Sequence, residues 1–239
     1  MTEIENVIRF ANISHAYGSK TVLSQIDLSF KKLTTTAILG KSGSGKSTLL
    51  QLINGLIRPT HGDLFLFGEK IEYRHITALR RKIGYVVQQV GLFPHMTIYD
   101  NISLLGRVSH APRPHMHARI DTLLDMVQLP KAYLKKYPHE LSGGEQQRAG
   151  LCRAMLLEPP VLLLDEPFAS LDIGTKRNIY DHLIQIQISE PRTVVLVTHD
   201  WEEAEILADC FVWLENGEVK DNGFKDELLR IKSSYSATL

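Results

Sequence analysis

The chain has little cysteine: Cys152 and Cys210 are the only two in 239 residues. Neither a disulfide framework nor a CxxC metal pair can therefore organise it, and a reducing compartment is expected. Both cysteines stand in apolar contexts and read as core fillers rather than reactive thiols. An excess charge of one sign is lacking as well, since 27 Lys and Arg balance 27 Asp and Glu. A generic nucleic-acid binder would carry a basic excess over part of its surface, so no nucleic-acid partner is expected. No run approaches the ~18 apolar residues that a membrane span needs. The start, Met1-Thr2-Glu3-Ile4-Glu5-Asn6, is acidic and has no apolar leader core. Any association with a membrane is expected to run through a partner. Apolar residues are plentiful, at 44%, which excludes disordered and collagen-like chains. The length allows one large domain or two small ones around a real core.

Short apolar runs alternate with helical stretches, the pattern of βαβ units around a parallel sheet. Thr36–Leu39, Tyr85–Val87, Val161–Leu164 and Val194–Val197 read as strands buried on both faces. Alternation in Val7–Phe10 and Asp63–Phe67 reads as a smaller antiparallel sheet, and Phe211–Leu214 with a turn at Glu215–Glu218 repeats it as a tail hairpin. From about residue 95 to 157 the strand signal gives way to helical spacing, as at Ile120, Leu123, Leu124 and Val127. This stretch reads as a helical insertion. Within it, Ser109 to His117 carries two prolines two residues apart and is expected to be an exposed loop. His115 and His117 lack the spaced carboxylates or cysteines of a metal site and read as solvated.

Gly40-Lys41-Ser42-Gly43-Ser44-Gly45-Lys46-Ser47 follows a strand and precedes the helical Thr48-Leu49-Leu50. It fits G-x-x-x-x-G-K-[ST] in the required strand–loop–helix context. Gly40, Gly43 and Gly45 let successive backbone N–H groups around Ser42 and Thr48 turn inward on phosphates at a helix N-terminus. Lys46 supplies charge to the β and γ phosphates, and the Ser47 hydroxyl is placed to ligate Mg²⁺.

Val161 to Pro167 is a buried strand ending in Asp165 and Glu166, at the carboxyl edge where open α/β sheets bind ligands. Asp165 is placed to hold Mg²⁺, and Glu166 to polarise a water for attack on the γ-phosphate. Leu141-Ser142-Gly143-Gly144-Glu145 opens a helix and offers a second anion site. One nucleotide needs one phosphate loop. A second site suggests that the nucleotide of one subunit is closed over by Ser142, Gly143 and Gly144 of another, although an ordinary N-cap is the alternative reading of that string.

Together these motifs resemble the ATP-binding cassette (ABC) family over nearly the whole chain. Ser170-Leu171-Asp172 is similar to its D-loop, Thr198-His199-Asp200 follows a strand, Gln88 ends one, and Tyr17 precedes Gly18. The resemblance implies an α/β P-loop NTPase fold with a mostly parallel sheet, a small antiparallel β subdomain and an inserted helical subdomain at about 95–157, all one cassette over 1–239. It implies ATP and Mg²⁺ as cofactors, with Tyr17 on the adenine, Gln88 sensing the γ-phosphate beside Ser47 and Asp165 at the metal, and His199 hydrogen-bonded to the γ-phosphate. Tyr17 could instead be a core aromatic of the small sheet, and His199 a helix cap. It also implies an ATP-driven homodimer, a separate transmembrane permease contacted by roughly Gln88 to Arg107, an extracytoplasmic substrate-binding protein, and a peripheral place on the cytoplasmic face of the inner membrane. The string from Ala78 to Thr97, Tyr137-Pro138-His139-Glu140 and Glu158-Pro159-Pro160 are similar to cassettes of quaternary-amine (glycine betaine, choline, carnitine) importers. Polar amino-acid importers carry near variants. Ending at Leu239, the chain is expected to lack the regulatory extension that many betaine-group cassettes carry. It departs from the family at Lys31-Lys32-Leu33, where a glycine-containing turn is usual, and at Ile173, where proline is frequent.

Overall fold

The computed structural model describes residues 6–88, 91–169 and 171–235. Two sheets share a core. The first is wholly antiparallel, ordered β2-β1-β4-β5, from β1 (Asn6–Tyr17), β2 (Lys20–Lys31), β4 (His61–Leu66) and β5 (Glu69–Lys70). Alternate residues of β1 and β2 turn inward, as period-2 apolar patterning requires. Phe10, Phe30, Leu23 and Leu64 meet Leu49 and Leu52 of α1 (Lys46–Ile53) in the core between the sheets.

The second sheet is ordered β10-β9-β3-β8-β7-β6. Its members are β3 (Thr35–Leu39), β6 (Ile83–Val86), β7 (Val161–Asp165), β8 (Thr193–Val197), β9 (Cys210–Glu215) and β10 (Glu218–Phe224). β3, β7 and β8 are buried at every position, because helices cover both faces of a parallel sheet. All neighbours from β9 to β6 run parallel, and β10 returns antiparallel on β9. The tail hairpin thus joins the large sheet. Its turn at Asn216 and Gly217, φ 50° and 78°, is the left-handed pair that matches strand twist. Gly217 donates its N–H to Ser44 O at 3.1 Å and accepts from Ser24 N at 2.9 Å. The hairpin tip thereby props the phosphate loop from behind.

The middle of the chain forms α3 (Ile98–Val108), α4 (Arg113–Met126) and α5 (Gly143–Met155), which bury Ile102, Ile120, Leu124, Leu151 and Cys152 against Leu162, Leu164 and Phe168. Burial pushes the Cys152 thiol up to about 12, so it is an inert core group. One expectation is corrected here. Arg113 to His117 are not loop but the first turn of α4, with Pro112 at the N-cap and Pro114 just inside. Proline lacks only an N–H that a first turn leaves unpaired anyway, and its φ suits the helix. Met116 is buried, His117 stacks on Tyr99 at 5.5 Å, and His115 lies 3.9 Å from Glu158. Remaining helices are α2 (Ile76–Arg80), α6 (Ile173–Ser189), α7 (Trp201–Leu207) and α8 (Lys225–Tyr235). No helix among the described residues is long and apolar enough to cross a membrane.

Candidate functional site

Because β3, β8, β7 and β6 are successive neighbours and parallel, their carboxyl ends lie side by side. The loops leaving those four ends carry Gly40–Ser47, Thr198–Asp200, Asp165–Glu166 and Gln88. Residues scattered over 160 positions of sequence are brought to one edge by topology, where ligands of open α/β sheets bind.

The phosphate loop is shaped by glycine at positions where nothing else fits. Gly40 has φ 149°, and a Cβ there would lie 2.0 Å from Leu214 O on β9. Gly45 has φ 107° and would meet Leu23 at 2.7 Å. Gly43, φ 78°, faces open space, so backbone there is free to approach a ligand. Lys46 starts α1 and is nearly buried. Its ammonium donates to Gly40 O at 2.6 Å and Lys41 O at 2.8 Å. Burial lowers its pKa, and the carboxylates of Glu166 and Asp165 only partly offset this. A buried cation held by carbonyl dipoles is suited to an arriving polyanion. Ser44 Oγ is buried without a partner, a further donor inside the loop.

Ser47 Oγ donates to Asp165 Oδ1 at 3.1 Å. Burial raises the Asp165 pKa against the Ser47 hydrogen bond and the Lys46 charge, with Glu166 adding to the rise. Hydroxyl, carboxylate and the Gln88 amide are hard oxygen donors of the kind that suit Mg²⁺. A divalent cation there would relieve the buried carboxylate. Glu166 has φ 47°, a left-handed conformation costing ~1–3 kcal/mol in a side-chain-bearing residue. Its N–H donates to Val197 O at 3.0 Å, which locks the turn to β8. Gln88 Nε2 donates to Glu166 Oε2 at 3.0 Å, and His199 Nδ1 lies 3.5 Å from Glu166 Oε1. Both are groups the sequence had singled out.

Tyr17 ends β1 half-exposed, with its hydroxyl donating to Gln51 Oε1 of α1 at 3.2 Å and its ring set edgewise on His15. It is not a core aromatic. His199 is not a cap either: Asp200 Oδ1 caps α7 by accepting from Glu202 N at 2.9 Å. Ser142 caps α5 in a capping box, its Oγ accepting from Glu145 N and its N–H donating to Glu145 Oε2 at 2.7 Å. Gly143 beside it faces open space, and Gly144 follows in the first turn. The D-loop-like Ser170 lies outside the described residues, while Leu171 and Asp172 lead into α6, where Asp172 Oδ1 accepts from Thr175 N at 3.0 Å.

Sequence reasoning missed Gln147. Buried on α5, it donates through Nε2 to the Glu166 carbonyl at 3.1 Å and joins the helix of Ser142–Gly144 to the acidic turn. Its one signal was its place one turn after the Ser-Gly-Gly string. Glu203, Lys176 and Tyr180 were missed as well.

A family profile described as "ABC transporter" matches residues 23–169. The chain belongs to the ABC transporter family. It is 44% identical over 225 residues to the glycine betaine/carnitine/choline transport ATP-binding protein OpuCA of Bacillus subtilis, covering 94% of this cassette and 59% of OpuCA. It is 38% identical over 217 residues to the glycine betaine uptake system ATP-binding protein YehX of Escherichia coli, covering 91% and 70%. In structure it is similar to the dimeric post-hydrolysis state of the ATP-binding cassette MJ0796 bound to ADP and Pi, with a TM-score of 0.85, 31% identity, and coverage of 91% and 98%. The chain spans about three-fifths of the length of OpuCA and of the choline transport protein OpuBA. The ABC cassette therefore has the P-loop NTPase fold expected from its sequence.

Proposed function

We propose that this cassette, residues 1–239 acting as one unit with a helical insertion at about 95–157, is the ATP-hydrolysing subunit of an importer. It powers uptake of a quaternary-amine osmoprotectant through a separate transmembrane permease, beside an extracytoplasmic substrate-binding protein. The observation that carries the reading is the joining of Lys46, Ser47, Asp165, Gln88, Glu166 and His199 at one sheet edge. The solute class rests on likeness to importers such as OpuCA and YehX. Aromatic cages select quaternary ammonium groups, and they belong to the partner proteins. The working place is the cytoplasmic face of the membrane, reached by docking.

In this reading the adenine lies on Tyr17, and the phosphates take the backbone N–H groups of Ser42 to Thr48 and the Lys46 charge. Ser47, Asp165 and Gln88 are the residues that would hold Mg²⁺, and the ion would supply positive charge to offset that of the phosphates. Glu166, fixed by Gln88 and His199, orients a water and accepts its proton as the water oxygen bonds to the γ-phosphorus. The bond to the β-phosphate oxygen breaks in line. His199 and Lys46 stabilise charge on the γ-phosphoryl oxygens. Ser142, Gly143 and Gly144 of a second copy close over the nucleotide, so ATP drives dimerisation, closure moves the insertion against the permease, and hydrolysis releases it.

The test compares wild type with Glu166→Gln. The variant should bind ATP, hydrolyse it at a small fraction of the wild-type rate, and form a dimer with ATP in light scattering. Wild-type hydrolysis by Glu166→Gln would remove Glu166 from its role. Co-purification of the trapped variant from native membranes in mild detergent should recover a polytopic permease. Recovery of soluble partners alone would overturn the transport reading.

A further inference from the structure

Directly behind His199 lies a buried polar cluster that the mechanism above does not use. Glu203 of α7 is almost fully buried and its carboxylate takes three hydrogen bonds. Oε2 accepts from Thr198 Oγ1 at 2.6 Å, and Oε1 accepts from Lys176 Nζ at 2.9 Å and from the Tyr180 hydroxyl at 3.1 Å. Thr198 Oγ1 also accepts from Asp200 N at 3.0 Å, so one hydroxyl spans His199 on both sides of its backbone. Lys176 Nζ reaches Asp200 Oδ2 at 3.4 Å too. The Thr198–Asp200 turn is therefore clamped from one carboxylate, while the His199 imidazole itself is left exposed and aimed at Glu166.

Two of the three donors, Lys176 and Tyr180, come from a single helix face. Lys176 and Tyr180 are four residues apart on α6, and Lys176 N donates to Asp172 O at 2.9 Å in the first turn. Tyr180 sets its ring edgewise on Phe168 at 5.1 Å, two residues beyond Glu166. The contacts close a ring: Glu166, Phe168, Tyr180, Glu203, Thr198, His199 and back to Glu166. Burial opposes the Lys176 charge, but Glu203 and Asp200 outweigh it and raise its pKa. Burial and the neighbouring carboxylates also push the Tyr180 hydroxyl well above its ordinary range. Lys176 stays a cation and Tyr180 a donor at any working pH.

We infer that Glu203 is a positioning residue for hydrolysis: through Thr198 it fixes the turn that presents His199 to Glu166 and the γ-phosphate, and through Lys176 and Tyr180 it ties that turn to α6 just beyond the D-loop-like segment. A shift of α6 at its N-terminus is thus carried to the His199 turn by buried, charge-assisted hydrogen bonds, which are stronger than neutral ones. The inference deepens the ATPase reading and rests on it.

The experiment measures ATP turnover and nucleotide affinity separately for full-length wild type, Glu203→Gln, His199→Ala and the double variant. Glu203→Gln keeps size and loses charge. Its kcat should fall about 10- to 100-fold, the scale of a misplaced reacting group, while the Kd for a non-hydrolysable ATP analogue stays within about twofold. Added to His199→Ala, Glu203→Gln should cost little more, because its effect runs through His199. Additive losses, or a wild-type kcat in Glu203→Gln, would overturn the inference. Should Glu203→Gln fail to fold, Thr198→Val serves in its place, with Thr198→Ser expected to restore most of the rate. Equal rates in Thr198→Val and wild type would again overturn it. Absence of hydrolysis in wild type itself would instead refute the ATPase reading.

Discussion

Replacing Glu190 by glutamine tests how the helical insertion is fastened to the sheet. Glu190 caps the C-terminus of α6 and takes a bidentate hydrogen bond from Arg119 of α4, Nη1 to Oε1 at 2.9 Å and Nη2 to Oε2 at 2.8 Å. Arg192 Nη2 binds Oε2 as well, at 2.7 Å. Both arginine side chains are nearly buried, at 7% and 5% exposure, while the carboxylate is 40% exposed. Glutamine would keep one acceptor, turn an amide donor towards two guanidinium groups, and leave Glu158, 3.5 Å from Arg119 Nε, as the remaining carboxylate beside two nearly buried cations. Breaking a buried pair costs ~3–5 kcal/mol and an exposed one ~0–1 kcal/mol. The part-exposed carboxylate sets the expected loss between them, at ~2 kcal/mol. With 239 residues and ~2.1 cal/mol/K per residue, the unfolding entropy is ~0.5 kcal/mol/K, so Tm should drop by about 4 °C. The dependence on pH has a definite sign. Burial acts to raise the Glu190 pKa, but the Arg119 hydrogen bonds and charge, with Arg192, bring it below the ordinary glutamate value. A depressed carboxyl contributes stability above its unfolded pKa and loses it as pH falls through the folded one. The Tm gap between wild type and Glu190→Gln should be full at pH 7 and start to close below the ordinary glutamate range. A gap under 1 °C at pH 7, or one that does not narrow in acid, would refute the reasoning.

Three other perturbations are worth making. Gly40→Ala forces a Cβ to within 2.0 Å of the Leu214 carbonyl, so it should both lower Tm and abolish ATP binding, and normal binding in an equilibrium titration would count against the loop geometry. Leu33 stands half-exposed with φ 60°, and left-handed backbone costs a side-chain-bearing residue ~1–2 kcal/mol; Leu33→Gly should be neutral or stabilising in chemical denaturation, a clear loss meaning that the leucine packs more than its exposure allows. Burial lowers the Lys46 pKa in the free cassette, and a bound polyphosphate would raise it again, so ATP affinity should decline as alkaline pH passes the lowered value and binding there should take up a proton. Calorimetry in buffers of different ionisation enthalpy reads that uptake, which Lys46→Met should abolish; proton release would contradict it.

The phosphate loop was legible because its chemistry is contiguous: eight residues from the end of one strand into the first turn of one helix hold its glycines, its lysine and its hydroxyl. The four parallel strands were legible from their apolarity, but β7 ends at Asp165, with Glu166 of the expected strand end already in the turn, and β6 ends at Val86, before the Val87 included in the expected strand. The start of α4 was misread because two prolines signal a break in a helix interior and a start in a first turn, and spacing alone does not tell which. At Lys31-Lys32-Leu33 the missing glycine marked a departure without saying how the turn copes. Leu33 adopts the left-handed conformation itself, and Leu33 N donates to Thr193 Oγ1 at 2.9 Å. The Glu203 cluster was illegible for another reason. The partners of Glu203 lie 5 to 27 residues from it, are of common types, and are brought to it by the pairing of α6 against α7 rather than by any local pattern.

Those long-range contacts explain why the site can hold its unfavourable features. A buried lysine whose charge Glu166 and Asp165 only partly offset, a buried aspartate with a raised pKa and a glutamate in left-handed backbone each cost the free cassette stability. They persist because neighbouring elements leave them no alternative. The tail hairpin braces the phosphate loop through Gly217 and Ser44, β8 locks the Glu166 amide, and Gln147 holds its carbonyl from α5. An anion on Lys46 and a divalent cation on Asp165 would relieve the first two costs together, which would make nucleotide and metal mutually reinforcing ligands. The Glu166 strain is not relieved by either, since it lies in the backbone. It keeps the carboxylate turned towards Gln88 and His199 before any ligand arrives, so that, in the role proposed for Glu166, little reorganisation would be left for the moment of bond formation.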